Sequence, residues 1–182
     1  MKRTILAVVG VLVCAPSAMA QLSDQRVERA LAPLPANARE TATVVKWNAD
    51  FTYEVVKKGT SPIVCYDQSG QPGEQPFSAQ CTSLNNLPRV AQNRKFEAVE
   101  DREARAKMLA EAEANGTRVK PEYGSMWITM SGKDEATARI HTTIAVPGAT
   151  TQSTGLPDNN KLGGAYIMNA GTSTAHIMIP GR

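Results

Sequence analysis

What this 182-residue chain lacks narrows its function first. It has no phosphate-cradling G-x-x-x-x-G-K-[ST] loop, no G-x-G-x-x-G after a strand, and no H-E-x-x-H metalloprotease helix. No G-x-S-x-G elbow surrounds any serine, so the usual nucleophile turn is missing as well. Repeats and low-complexity tracts are absent. Beyond Ile5–Val13 there is no long apolar run, and that stretch is itself too short to cross a bilayer as a helix. Basic clusters are sparse, Lys57-Lys58 and Arg94-Lys95 being the densest, which is too little for a nucleic-acid footprint. Histidine occurs only twice and cysteine only three times, so chemistry resting on either must use named residues.

The apolar run sits where a leader would. Lys2 and Arg3 precede it, and Ala18-Met19-Ala20 follows with the small-x-small pattern of a cleavage site, predicting a mature chain from Gln21. A single arginine, rather than a pair, points to the general secretory route. Cys14 is preceded by Val13 rather than a small residue, which argues against a lipidated cysteine. Residues 1–20 hold two of the 20 basic residues and none of the 17 acidic ones, so the remainder carries only +1. The expected location is periplasmic or secreted, with no transmembrane segment after cleavage and no nucleic-acid partner.

Removing the leader leaves Cys65 and Cys81, and in an exported protein a lone pair predicts a disulfide. It closes a loop of roughly 15 residues and stabilises by about 3 kcal/mol in the chain-entropy account. The gap is not a C-x-x-C, which disfavours a redox or thiolate-metal pair.

Residues 21–40 read as a lead-in, with Ser23 capping a short helix that Pro33 and Pro35 end. Alternation predicts strands at 42–47, 51–59, 62–67 and 77–82, with an exposed Gly- and Pro-rich loop at 68–76. Residues 88–114 predict one long amphipathic helix, opened by Pro88 and closed by Asn115-Gly116. Residues 124–130 and 137–146 predict a hairpin, and 165–171 and 173–180 two short final strands. The expectation is therefore one α+β domain over 41–182, an antiparallel sheet of about six strands packed on the 88–114 helix.

Period-2 alternation puts His141 opposite Ile140 and Ile144, and puts His176 and Met178 opposite Ala175, Ile177 and Ile179. If their strands are neighbours, the imidazoles can approach one another. Histidine with methionine suits copper, with His141, His176 and Met178 as ligands and Met126, Met130 or Met168 as extras. Against this stands the packing role common to strand histidines and methionines. A hydrolytic set is Ser153, Thr154 or Ser173 with a histidine base and Asp158 to orient it. A binding set is the long 147–164 loop with Trp47, Trp127 and Tyr166 as anchors.

GAYIMNAGTSTAHIMIP at 164–180 resembles the C-terminus of a group of small secreted bacterial proteins, roughly G-x-Y-[VI]-M-x-x-G-T-x-x-A-H-I-M-x-P. His141 before Pro147-Gly148, and Trp47, Lys58-Gly59 and Cys65, are similar to features of that group. The resemblance implies a shared fold and singles out the His141/His176 pair; it carries no activity with it. The leading expectation is a non-enzymatic exported protein that binds a small ligand or an envelope partner, with His141, His176, Met178, Ser153 and Asp158 as candidate contacts. The alternative is a copper-type metal protein or a hydrolase using the same two histidines.

Overall fold

Stretches rich in Val, Ile, Thr and aromatic residues form the strands, as their fit to a pleated, half-buried surface predicts. The structure is a computed structural model and describes residues 16–179, with side chains from residue 24. The leader-like residues 1–15, Cys14 among them, lie outside the described residues. Helix α1 (Pro16–Leu31) and the short α2 (Ala36–Arg39) precede β1 (Thr43–Trp47), β2 (Tyr53–Lys57), β3 (Ile63–Asp67) and β4 (Phe77–Ser83). Then come α3 (Leu87–Glu97), α4 (Arg102–Ala114), β5 (Met126–Gly132), β6 (Arg139–Ala145), α5 (Thr151–Thr154), β7 (Tyr166–Met168) and β8 (His176–Ile179).

These strands form one eight-stranded sheet in the order β2-β1-β3-β4-β5-β6-β8-β7. The fold is mixed α/β, which corrects the expected α+β arrangement of about six antiparallel strands on one long helix. The β1–β2 hairpin places β2 on the outside, so β3 returns beside β1 and pairs with it in parallel. Every other neighbour pair is antiparallel. The segments themselves were legible; alternation does not reveal that all eight would join one sheet.

The expected 88–114 helix is two helices. The Asp101 carboxylate accepts from the Ala104 amide at 2.7 Å and starts a new helix from an extended backbone. An N-cap of this kind satisfies an amide that a continuous helix would have bonded internally. The break lets α3 and α4 spread over the sheet.

Both faces of the sheet carry helix. Val44, Cys65 and Cys81 pack under Ala30 and Leu31 of α1 and the following Leu34. The side chains that alternate with them, Val45, Val64 and Tyr66, pack against Leu87 and Val90 of α3. Ser23 lies within α1 rather than at its start, because the helix begins earlier than the predicted cap. On the α1 face the covering stops short of the start of β5 and of β6 and β8: Met126, Ile140 and Ile179 remain 49%, 44% and 40% exposed. Among the described residues no helix is long and apolar enough to cross a membrane.

Cys65 and Cys81 lie directly opposite each other on β3 and β4 and are joined by a disulfide. Gly59 follows β2, where the chain crosses the backbone of residues 41–43. A Cβ there would sit 2.1 Å from the Thr41 carbonyl oxygen. That oxygen also accepts from the Thr60 and Ser61 amides, at 2.8 and 2.9 Å. Gly59→Ala is therefore expected to destabilise by about 2–3 kcal/mol through overpacking. Urea denaturation reads this directly, and a loss under about 0.5 kcal/mol would mean that the crossing relaxes freely.

Candidate functional site

The site forms where α3 and α4 roof the sheet on the face opposite α1. A cleft of about 470 Å³ opens between them, within the size range of small-molecule sites. Its floor follows the register. Gln80 of β4 pairs with Thr129 of β5, and Thr129 with His141 of β6. Two residues on, Trp127 pairs with Thr143; beyond that, Ala145 of β6 pairs with His176 of β8. All of these residues except the deeply set Ala145 present polar or aromatic groups, and all line the cleft.

The first row of the floor is held by a polar ladder. The buried Tyr66 hydroxyl donates to Gln80 Oε1 at 2.5 Å, and Gln80 Nε2 donates to Thr129 Oγ1 at 2.8 Å. Burial pushes the Tyr66 hydroxyl pKa well above its ordinary value, so the group stays a donor. Thr129 accepts this bond on its oxygen and keeps its own hydroxyl hydrogen free to donate. At the other end the half-buried His176 donates from Nδ1 to the Thr174 carbonyl at 2.7 Å. A carbonyl can only accept, so this bond fixes the tautomer and leaves Nε2 available.

The strands carrying the two histidines are neighbours, and both rings line the same cleft. They do not meet. His176 stands opposite Ala145, four positions from His141, roughly 13 Å along the strand. Side chains standing off a sheet do not converge on one ion over that span. Met178 shares the His176 face but does not line the cleft, and Met168 pairs with His176 from β7. Met126 and Met130 lie with Ile128 on the opposite face. Among the described residues no group of three or more His, Cys, Asp or Glu is arranged to hold a metal ion.

The candidate hydroxyls sit elsewhere. Ser153 completes a capping box with Thr150 at the start of α5, and the Thr154 hydroxyl donates to the Thr150 carbonyl at 2.8 Å. Ser173 donates to Glu113. Asp158 accepts from Asn159 at 2.8 Å. None of these four lines the cleft, nor does any residue of the 147–164 loop. Of the aromatic anchors only Trp127 does. Trp47 packs edge-on to Tyr53 and Tyr66 with Arg94 5.3 Å over its ring, and Tyr166 of β7 pairs with Met178 of β8.

The roof holds what the sequence reading missed. Arg89, Asn93, Phe96 and Glu97 recur at helical spacing on one face of α3, with Arg105 and Leu109 from α4 and Arg118 from the loop beyond. Arg118 is bolted to α3: it donates to Gln92 Oε1 at 2.7 Å and Asn93 Oδ1 at 2.6 Å, and lies 4.9 Å over the Phe96 ring. Arg89 donates to the Val119 carbonyl. The usable signal was this α3 stripe, since arginine on the buried side of an amphipathic helix calls for a polar counterpart.

Burial lowers the Arg89 pKa to about 10, with the nearby positive charge of Arg118 acting in the same direction. Glu97 is pushed the other way. Burial raises its pKa, helped by Glu74 and opposed by Arg94, Arg105 and Arg118. The folded state thus holds the Glu97 proton more tightly than the unfolded chain. Stability falls as pH rises from the ordinary glutamate value through the folded one, and the penalty is complete above it. Glu97→Gln is expected to be more stable than wild type at neutral pH, the gain vanishing below about pH 4. Denaturant melts across that window test it; a gain constant with pH would contradict the assignment.

Compared with known protein families, curated proteins and solved structures, the chain matches none.

Proposed function

We propose that this chain is an exported, non-enzymatic binding protein whose ligand is a small molecule held in the cleft between the sheet and α3–α4. One observation carries the reading: a single recess of about 470 Å³ gathers Trp127, both histidines and most of the convergent polar side chains. Binding is favoured over turnover because Ser153, Thr154 and Ser173 lie outside the recess, and the two imidazoles sit at opposite ends of its floor. Export is supported by the Cys65–Cys81 disulfide, which persists in oxidising compartments. The leader-like pattern ending at Ala20 and the resemblance of residues 164–180 to small secreted proteins point the same way.

The test is native mass spectrometry of the intact chain recovered from the exported fraction of a bacterial host. The expected species begins at Gln21, is oxidised at Cys65 and Cys81, and carries a non-covalent small-molecule adduct. Thr143→Trp, which fills the middle of the floor, should abolish the adduct while preserving the fold. An unprocessed cytoplasmic chain would contradict export. An adduct retained in Thr143→Trp would place the ligand elsewhere.

A further inference from the structure

The cleft is electrostatically unbalanced. Three guanidiniums, Arg89, Arg105 and Arg118, line it with one carboxylate, Glu97, and Glu113 offsets part of the excess at Arg89 and Arg118 from outside the lining. Among the described residues the ion pairs are Arg29–Asp67 and Lys107–Glu111, so none of the three arginines has a carboxylate within 4.0 Å. Their partners are neutral oxygens: Val119 O for Arg89, Gln92 Oε1 and Asn93 Oδ1 for Arg118, and Val99 O at 3.5 Å for Arg105. Such bonds orient a guanidinium without neutralising it. Arg89 and Arg118 are 5% and 8% exposed, so solvent does little of the neutralising either. The buried Nε of Arg118 has no hydrogen-bond partner at all. Glu113, and for Arg118 also Glu97, act on these guanidiniums only from beyond ion-pair distance. Buried charge so incompletely neutralised is costly, and a bound anion would offset that cost.

We infer that the cleft takes a small organic dianion, with Arg89, Arg105 and Arg118 as its charge partners and Trp127 against its carbon body. This rests on the small-ligand reading of the cleft. Guanidinium forks match carboxylate and phosphate oxygens alike, so the shared chemistry is a doubly charged oxyanion: a dicarboxylate or a phosphate monoester. Three guanidiniums with no carboxylate in ion-pair contact favour a dianion over a monoanion. His176 Nε2 and the Thr129 hydroxyl, at opposite ends of the floor, offer polar contacts to a ligand that spans it. Glu97 opposes any such ligand.

The experiment is isothermal titration calorimetry of the oxidised chain with five probes: glutarate, phenyl phosphate, butyrate, glucose and choline. Glutarate or phenyl phosphate is expected to bind, with the tighter of the two identifying the headgroup. Butyrate should bind about tenfold more weakly or not at all. Added salt should weaken the interaction. Arg105 makes only one long hydrogen bond, so Arg105→Gln should fold, as a thermal melt will verify, and should weaken the dianion about tenfold or more. Glu97→Gln should tighten it several-fold. Equal affinity for butyrate and glutarate, or dianion binding unchanged by both substitutions, would overturn the inference. Binding of glucose or choline without the dianions would overturn it too while leaving a small-ligand cleft. Silence from all five probes would overturn the dianion inference, and the native-mass adduct would then decide the small-ligand reading.

Discussion

Tyr66→Ala is expected to cost about 4 kcal/mol, and Tyr66→Phe about 1–2 kcal/mol. Tyr66 is fully buried and packs with Val45, Val64, Leu87 and Val90, so the truncation opens a cavity where α3 meets the sheet. Its ring also lies edge-on to Trp47, with centroids 5.9 Å apart. The phenylalanine variant keeps this packing and deletes only the bond to Gln80 Oε1. It leaves an acceptor without its donor, which costs more than a neutral exchange of hydrogen bonds. Because Gln80 holds Thr129 beside His141, Tyr66→Phe should also disturb the cleft floor. Urea denaturation separates the two variants. Equal losses would mean that the hydroxyl carries the whole effect; no loss in Tyr66→Phe would mean that the ladder contributes nothing.

Replacing both cysteines, as Cys65→Ala/Cys81→Ala, is expected to cost about 3 kcal/mol, because the bond closes a loop of sequence separation 16. For a chain of this size the melting temperature should fall by on the order of 10 °C. The bond ties the ends of the hairpin that carries the 68–76 loop, and that loop reaches Arg29 of α1 through Ser69 and Pro76. The loss should therefore show as an unfolded state with more freedom and as weaker docking of α1. Comparison of the oxidised protein with the double variant checks it. A difference below about 0.5 kcal/mol would show that strand pairing alone fixes these residues.

The strand segments and the cross-strand disulfide were readable because period-2 alternation and a lone cysteine pair in an exported chain are strong local signals. The split at Ala98–Asp101 was not, because Asp101, four residues before Arg105, suits an i,i+4 pair inside one continuous helix, whereas in the fold it caps a new one. A subtler limit concerns the faces of β5, β6 and β8. Met126, Ile128, Ile140, Ile144 and Ile177 share a face, as alternation predicts. That aliphatic face is the half-open one, whereas the face of His141 and His176 is roofed by α3 and α4. Alternation tells which residues share a side; what covers that side depends on helices far away in sequence. The same limit hid Arg89, Arg105 and Arg118, which come from three segments that meet only in the folded chain.

The central claim is that one ligand occupies one cleft spanning both histidines. The most direct test is to follow the imidazole resonances of His141 and His176 by nuclear magnetic resonance while titrating glutarate, and separately phenyl phosphate. Both rings should move with a single dissociation constant, and neither should move in Thr143→Trp. Two different constants, or shifts that persist in the blocked variant, would contradict a shared site in this cleft.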